Sequence, residues 1–233
     1  MIEGVFAIYK EEGMTSHDVV DAVRRLTGEK RVGHAGTLDP CARGVLVIGV
    51  SRAATKKLRM VTGAEKEYVT RVKLGWRSTT EDREGKKEQT FQGTEVPTEE
   101  QVRQALGRFL GLIDQRPPAF SAIKIRGRAA YKRARAGKDV ALPARKVEAK
   151  EIELLGYTWP DVEVRLVTGP GFYVRSFARD LGELLGTGAY MEDLERIRVG
   201  PYTKEHAARL SDLAQSLHDP SDSKPIPQEP PTQ

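Results

Sequence analysis

The longest apolar run in this chain is short, and it constrains the fold more than any other feature. It consists of Val45, Leu46, Val47, Ile48, Gly49 and Val50. A run of this length that is rich in β-branched residues predicts a strand with both faces buried. A membrane-spanning helix needs about 20 consecutive apolar residues. We therefore expect a domain organised around this strand, with no membrane partner.

Other segments have the periodicity of further strands and helices. Strands are predicted at residues 4–9, 68–74, 147–155, 162–167 and 194–199. Ser16 is the predicted N-cap of one helix, and Thr98 with Gln101 forms a capping box before another, whose apolar stripe reaches Leu110. Because the strands do not alternate regularly with helices, as parallel βαβ units would, we predict an α+β fold with a largely antiparallel mixed sheet.

Positive charge is concentrated in residues 116–146. This segment has ten basic residues and one acid, a net charge of +9, whereas the whole chain has a net charge of +5. A charge run is often an exposed helix face, but such faces normally mix both signs. The excess of one sign favours an anionic partner. The candidate contact residues are Arg116, Lys124, Arg126, Arg128, Lys132, Arg133 and Arg135.

The cysteine and histidine content limits the possible sites. A single cysteine, Cys41, excludes an intrachain disulfide framework, and with four histidines it cannot build a zinc cluster at the usual spacings. We expect no metal site. The N-terminus lacks the basic region of a signal peptide, so a cytoplasmic location is expected. No heptad pattern is present, so we expect a monomer.

The chain is expected to form one folded domain followed by a tail. The domain would span residues 1–218, with the basic segment as an insertion. Residues 219–233 contain five of the thirteen prolines and almost no apolar side chains. A segment of this composition cannot bury enough apolar surface to fold, so the tail is predicted to be disordered.

The segment between Arg31 and Gly44 is a predicted glycine-rich loop with candidate catalytic groups. It lacks the residue order of a phosphate-binding loop and of a dinucleotide-binding turn, which disfavours nucleotide hydrolysis. Pro40 restricts Asp39 to extended or turn geometry, so the carboxylate could project from a rigid loop. The alternatives are an ordinary Asp-Pro turn for Asp39 and a structural imidazole for His34.

Two further side chains are candidate functional residues because each lies near the start of a predicted helix or strand. Arg175 follows a glycine-rich turn and lies near a predicted helix start, where a guanidinium could grip a carboxylate or a phosphate. The alternative is an ordinary surface arginine. Tyr68 lies at the start of a predicted strand, and its alternative role is core packing.

Several segments, in order along the chain, resemble the bacterial tRNA pseudouridine-55 synthases, the TruB family. The segment Gly33-His34-Ala35-Gly36-Thr37-Leu38-Asp39-Pro40 resembles the catalytic motif of that family. The other matching segments are Lys10 with 13–16, 66–68, 116–118 with 121–124, 173–176, and Leu194 with Arg196. Motifs that match in order are much more specific than any one of them alone.

The resemblance implies a cofactor-independent isomerase with the pseudouridine-synthase fold. Such an enzyme converts uridine 55 in the T-loop of tRNA to pseudouridine after flipping the base out. The residues at catalytic positions are Asp39, Arg175 and Tyr68, and those at substrate-contacting positions are His34, Tyr173, Leu194 and Lys10. Asp39 would be the active carboxylate, Arg175 its ion-pair partner and Tyr68 the ring stacked on the base. The basic insertion would then grip the T-arm.

The chain departs from the family pattern in places. Thr79 stands where the family has an aspartate, so the carboxylate that supports Arg175 is either Asp82 or Glu84. Few residues follow Tyr202, so we expect the C-terminal RNA-binding module of the PUA type, which many relatives have, to be absent.

A non-catalytic tRNA-binding or tRNA-folding protein on the same scaffold is the alternative function. Such a protein would use the basic segment and would need neither Asp39 nor Arg175. Both residues are present, which favours the enzyme, and an Asp39→Asn variant would separate the two functions.

Overall fold

The computed structural model describes residues 2–121, 123–125, 128–130, 133 and 142–218. The strands are β1 (Gly4–Lys10), β2 (Val32–Ala35), β3 (Arg43–Val50), β4 (Lys66–Leu74), β5 (Trp76–Ser78), β6 (Lys87–Gln89), β7 (Gly111–Gln115), β8 (Lys124–Ile125), β9 (Arg128–Ala129), β10 (Arg145–Thr158), β11 (Asp161–Thr168), β12 (Ala189–Val199) and β13 (Tyr202–Thr203). The helices are α1 (Ser16–Thr27), α2 (Arg52–Thr62), α3 (Glu99–Gly107), α4 (Val174–Leu184) and α5 (Leu210–His218). The predicted tail, residues 219–233, lies outside the described residues.

The chain forms two compact units. Unit 1 consists of Met1–Tyr68 and Leu194–Gln233, and unit 2 consists of Val69–Asp193. The boundaries fall inside β4 and inside β12, so each of these strands contributes residues to both units.

Strand β3 is the centre of the sheet in unit 1. β1 pairs with it antiparallel, from Gly4 opposite Val50 to Lys10 opposite Gly44. The other edge of β3 pairs antiparallel with β2 and, where Arg43 and Gly44 face β12, parallel with β12. Every residue from Gly44 to Val50 is buried, which confirms the buried strand predicted from the apolar run.

The core of unit 1 covers both faces of β1 and β3, because successive side chains of a strand point to opposite faces. On one face, α1 and α5 pack over Phe6, Ile8, Leu46 and Ile48. On the other face, α2 packs over Val5, Ala7, Val45 and Val47. The loop between β2 and β3 is therefore attached to a strand that is fixed from both sides.

The N-cap of α1 is Thr15 and not Ser16, the residue that the sequence pattern favours. The Thr15 hydroxyl accepts a hydrogen bond from the Asp18 amide, and the Asp18 carboxylate accepts one from the Thr15 amide. Ser16 instead donates to the Leu38 carbonyl at 3.0 Å and accepts from the Leu38 amide at 2.8 Å. The predicted cap is therefore wrong by one residue. Because Thr15 caps the helix, the Ser16 side chain can bind Leu38, the residue that precedes Asp39.

In unit 2 the strands lie in the order β4-β11-β10-β7. β10 pairs antiparallel with both β11 and β7. The predicted capping box of Thr98 and Gln101 is present at the start of α3. α3 ends at Gly107, however, and Leu110 is 57% exposed, so its placement in the apolar stripe was wrong, because the chain turns towards β7 before reaching it.

Helix α4 packs against the end of α3 through aromatic side chains. The rings of Phe109 and Phe177 meet edge to face with centroids 5.1 Å apart. Aromatic pairs of this geometry stabilise a fold by about 1 kcal/mol beyond their buried area. The contact fixes the helix whose first turn contains Arg175.

The structure confirms the predicted α+β class and a largely antiparallel, mixed sheet, since the parallel contact of β3 with β12 accompanies antiparallel pairs. Within the described ranges, no helix is both long enough and apolar enough to cross a membrane.

Candidate active site

Asp39 lies on a loop that is fastened on both sides. The predicted loop from Arg31 to Gly44 in fact contains β2 and the first two residues of β3, and the irregular part between these strands is residues 36–42. Ser16 holds Leu38 just before Asp39. After it, the Ala42 amide donates to the Asp39 carbonyl at 3.1 Å, and the Gly13 amide donates to the Pro40 carbonyl at 2.9 Å. These anchors fix the backbone from which the Asp39 carboxylate projects.

Lys10 lies beneath this loop with its side chain fully buried. Its ammonium donates to the Ala42 carbonyl at 2.6 Å and to the Met14 carbonyl at 2.7 Å. Burial lowers the pKa of Lys10 to about 8, while the nearby Cys41 and Asp39 oppose this shift. The family resemblance predicts that Lys10 contacts the substrate. Because Lys10 is buried and its partners are backbone carbonyls, the structure favours a different role, in which Lys10 holds the loop in place.

Tyr68 and Arg196 are both buried side chains of unit 1. Burial raises the pKa of the Tyr68 phenol, Arg196 opposes the rise, and Asp39 adds to it.

His34 has a buried ring nitrogen, Nδ1, without a hydrogen-bond partner among the described residues. Burial lowers the pKa of His34, and the charges of Arg196 and His17 lower it further. The imidazole is therefore neutral near pH 7, and it can donate or accept one hydrogen bond through Nδ1. Leu194, the other predicted pocket residue of unit 1, is buried on β12.

Arg175 is buried in the first turn of α4, in unit 2. Its guanidinium lies 3.6 Å from the Asp82 carboxylate. It donates to the Thr80 carbonyl at 3.2 Å and to the Phe120 carbonyl at 3.0 Å. Asp82 is buried, whereas Glu84 is exposed and donates its backbone amide to Asp82. The structure thus selects Asp82 as the carboxylate that supports Arg175.

Tyr173, which is partly buried, precedes α4. Gln115 accepts from the Tyr173 amide at 2.8 Å and donates to the Tyr173 carbonyl at 3.1 Å. Gln115 is itself buried. No pattern in the sequence singles out this glutamine, because the two residues are far apart in the chain and only the fold makes them neighbours.

The start of the basic segment is bound to α4. Ser176 and Arg179 both donate to the Arg116 carbonyl, each at 2.9 Å. Arg179 also pairs with Glu81 at 2.7 Å. Of the predicted contact residues, Arg126, Lys132 and Arg135 lie outside the described residues, and Lys124 and Arg128 are described only as parts of β8 and β9.

Two family models match the chain. The TruB family pseudouridylate synthase (N terminal domain) model matches residues 24–174. The tRNA pseudouridylate synthase B C-terminal domain model matches residues 175–226.

Curated relatives have closely similar sequences over most of the chain. A protein named tRNA pseudouridine synthase B from Thermobifida fusca (strain YX) is 46% identical over 222 residues, which are 92% of this chain and 75% of the relative. The protein of the same name from Arthrobacter sp. (strain FB24) is 43% identical, covering 93% of this chain and 72% of the relative.

Solved structures share the fold. A chain in the structure of an archaeal box H/ACA sRNP Nop10-Cbf5 complex is 28% identical with a TM-score of 0.69, covering 93% of this chain and 54% of the other. A chain in a Cbf5-Nop10-Gar1 complex is 30% identical with a TM-score of 0.72, covering 92% of this chain and 54% of the other. This chain therefore spans about half the length of these solved chains.

Proposed function

The chain belongs to the TruB family of pseudouridylate synthases, and from this premise we propose that it isomerises uridine 55 in the T-loop of tRNA to pseudouridine. The reaction breaks the bond between N1 and C1′ and forms one between C5 and C1′. One proton leaves C5 and one is gained at N1. Because substrate and product are isomers, the balance needs no co-substrate, and we propose that the protein uses no cofactor.

Asp39 supplies the active carboxylate in this proposal. The observation that supports it most directly is the fastening of its loop by Ser16, Gly13 and Lys10. A reacting group gains most from being held in one orientation before the substrate arrives. We propose that Tyr68 stacks on the target base.

The other predicted residues take supporting roles. Arg175, backed by Asp82, is the proposed ion-pair partner of the Asp39 carboxylate, and this pairing stays a prediction. His34, Tyr173 and Leu194 are the proposed contacts of the flipped nucleotide.

The glycosidic bond is inaccessible in a stacked loop, so the uridine has to be flipped out at a cost of a few kcal/mol. We propose that residues 116–146 offset this cost by binding phosphates of the T-arm. The hydrogen bonds from α4 to the Arg116 carbonyl would hold the base of this segment. We further propose that the protein acts as a monomer in the cytoplasm.

Site-resolved pseudouridine mapping on an unmodified tRNA transcript tests the function, with wild type and Asp39→Asn compared and no metal or nucleotide added. We expect pseudouridine at position 55 with wild type and none with the variant. tRNA binding should be equal for both, because the substitution removes one charge far from the basic segment in sequence. Binding by wild type without product would contradict the proposal and favour the RNA-folding role.

A further inference from the structure

Arg196 is among the largest fully buried side chains of the protein, and its charge is satisfied by groups from separate segments. It lies on β12 opposite Gly44, and 2% of its surface is exposed. Nε donates to the Val45 carbonyl at 2.8 Å and Nη2 donates to the Gly36 carbonyl at 3.0 Å. Its charge also acts on the buried Tyr68 phenol, whose pKa burial raises and Arg196 lowers. A buried guanidinium is tolerated only when its donors are satisfied in this way.

The partners of Arg196 lie on both sides of the Asp39 loop. Gly36 precedes Asp39 by three residues, and Val45 follows the loop as part of β3. The guanidinium is a planar fork with fixed donor directions, so a single rigid group sets the spacing between the start and the end of the loop.

Two glycines, Gly44 and Gly36, lie next to Arg196 at the ends of the Asp39 loop. Gly44 has a φ of +114°, and a Cβ atom there would lie 2.2 Å from the Arg196 carbonyl oxygen. A Cβ atom on Gly36, which has a φ of +72°, would lie 3.5 Å from Nη1. Gly44 therefore lets the end of the loop approach the Arg196 backbone closely, and Gly36 allows the positive φ at the start of the loop.

The charge of Arg196 also affects other side chains of unit 1. It contributes to the lowered pKa values of His34, Lys10 and Lys66, and both lysines have a pKa of about 8. Arginine stays protonated at any working pH. It is therefore a permanent cation at the centre of the residues proposed to handle the uridine.

We propose that Arg196 is a positioning residue for the isomerisation. Its fork holds the two ends of the Asp39 loop at the spacing in which the Asp39 carboxylate faces the nucleotide. The inference rests on the proposed function, and it assigns Arg196 no contact with the RNA. Replacing the fork by a point charge should lower the rate of the chemical step and leave tRNA binding unchanged.

Arg196→Lys tests this, with Arg198→Lys as the matched control. Arg198 lies two residues further along β12, and its partners are the Glu65 and Glu67 carboxylates at 2.7 and 2.9 Å. The measurements are the single-turnover rate of pseudouridine formation at saturating tRNA, the tRNA Kd, and the thermal unfolding transition. For Arg196→Lys we expect a rate about 100-fold lower, as for a displacement of about 1 Å at a reacting group, with Kd and cooperative unfolding retained. Arg198→Lys should keep the wild-type rate.

Each other outcome overturns the inference. A wild-type rate for Arg196→Lys would mean that a buried charge suffices and that the fork positions nothing. Loss of cooperative unfolding would mean that the arginine is needed for folding and not for positioning. An equal loss of rate in Arg198→Lys would assign the effect to β12 in general. If wild type itself forms no pseudouridine, the proposed function fails, and that result is distinct from all of these.

Discussion

Two carboxylates in one turn, Asp82 and Glu84, differ in what they contact. Asp82 is buried 3.6 Å from the Arg175 guanidinium, whereas the Glu84 residue is exposed. Asp82→Asn removes the negative charge and leaves the buried Arg175 without that compensation, which destabilises its position. We expect pseudouridine formation to fall about 100-fold, as for a misplaced catalytic group.

Glu84→Gln is the matched control, since it makes the same chemical change two residues away. It should retain most of the wild-type rate. Rate assays on both variants, with thermal unfolding to verify that they fold, distinguish the two positions. Equal losses would mean that the whole turn, and not the Asp82 charge, supports Arg175.

At the scale of elements, the parallel contact between β3 and β12 depends on Gly44. A methyl group there would meet the Arg196 backbone at 2.2 Å, and the φ of +114° disfavours any other residue. We expect Gly44→Ala to lower the free energy of unfolding by about 3 kcal/mol, the sum of overpacking and backbone strain. The activity should fall as well, because β12 positions Arg196.

Gly13→Ala is the control, because it introduces backbone strain without a steric clash. Gly13 has a φ of +85°, and a Cβ atom added there would meet nothing within 4 Å beyond its chain neighbours. The substitution should cost about 1 kcal/mol, the strain of the left-handed region alone. Urea unfolding measures both variants, and a cost for Gly44→Ala no larger than that for Gly13→Ala would contradict the close packing of the two strands.

For the whole molecule, the uneven charge distribution predicts salt-dependent binding to tRNA. Replacing Arg126, Lys132 and Arg135 by Gln should weaken binding and flatten the plot of log Kd against log salt by about 0.7 to 0.9 for each lost phosphate contact. The control variant replaces three arginines outside the basic segment by Gln, and so removes the same charge. They are Arg103, Arg165 and Arg209, each of which pairs with a glutamate. If both triple variants change the slope equally, net charge and not the basic segment determines binding.

Local patterns in the sequence predicted much of the fold. The apolar run at Val45–Val50 indicated a buried strand, and Thr98 with Gln101 indicated a helix start, because such features depend on neighbouring residues alone. The same reasoning placed the cap of α1 one residue late. Thr15 and Ser16 are both good caps by type, and only the contact of Ser16 with Leu38 separates them.

The sequence by itself determined the α+β class, the family and the residues that match its motifs. The tertiary structure decided which of those residues meet. It paired Arg175 with Asp82 and not with Glu84, placed Gln115 against Tyr173, and joined Arg196 to Gly36 and Val45. The physical reason is that propensity and capping act over a few residues, whereas a buried charge is satisfied by whichever donors and acceptors the packed strands bring within about 3 Å.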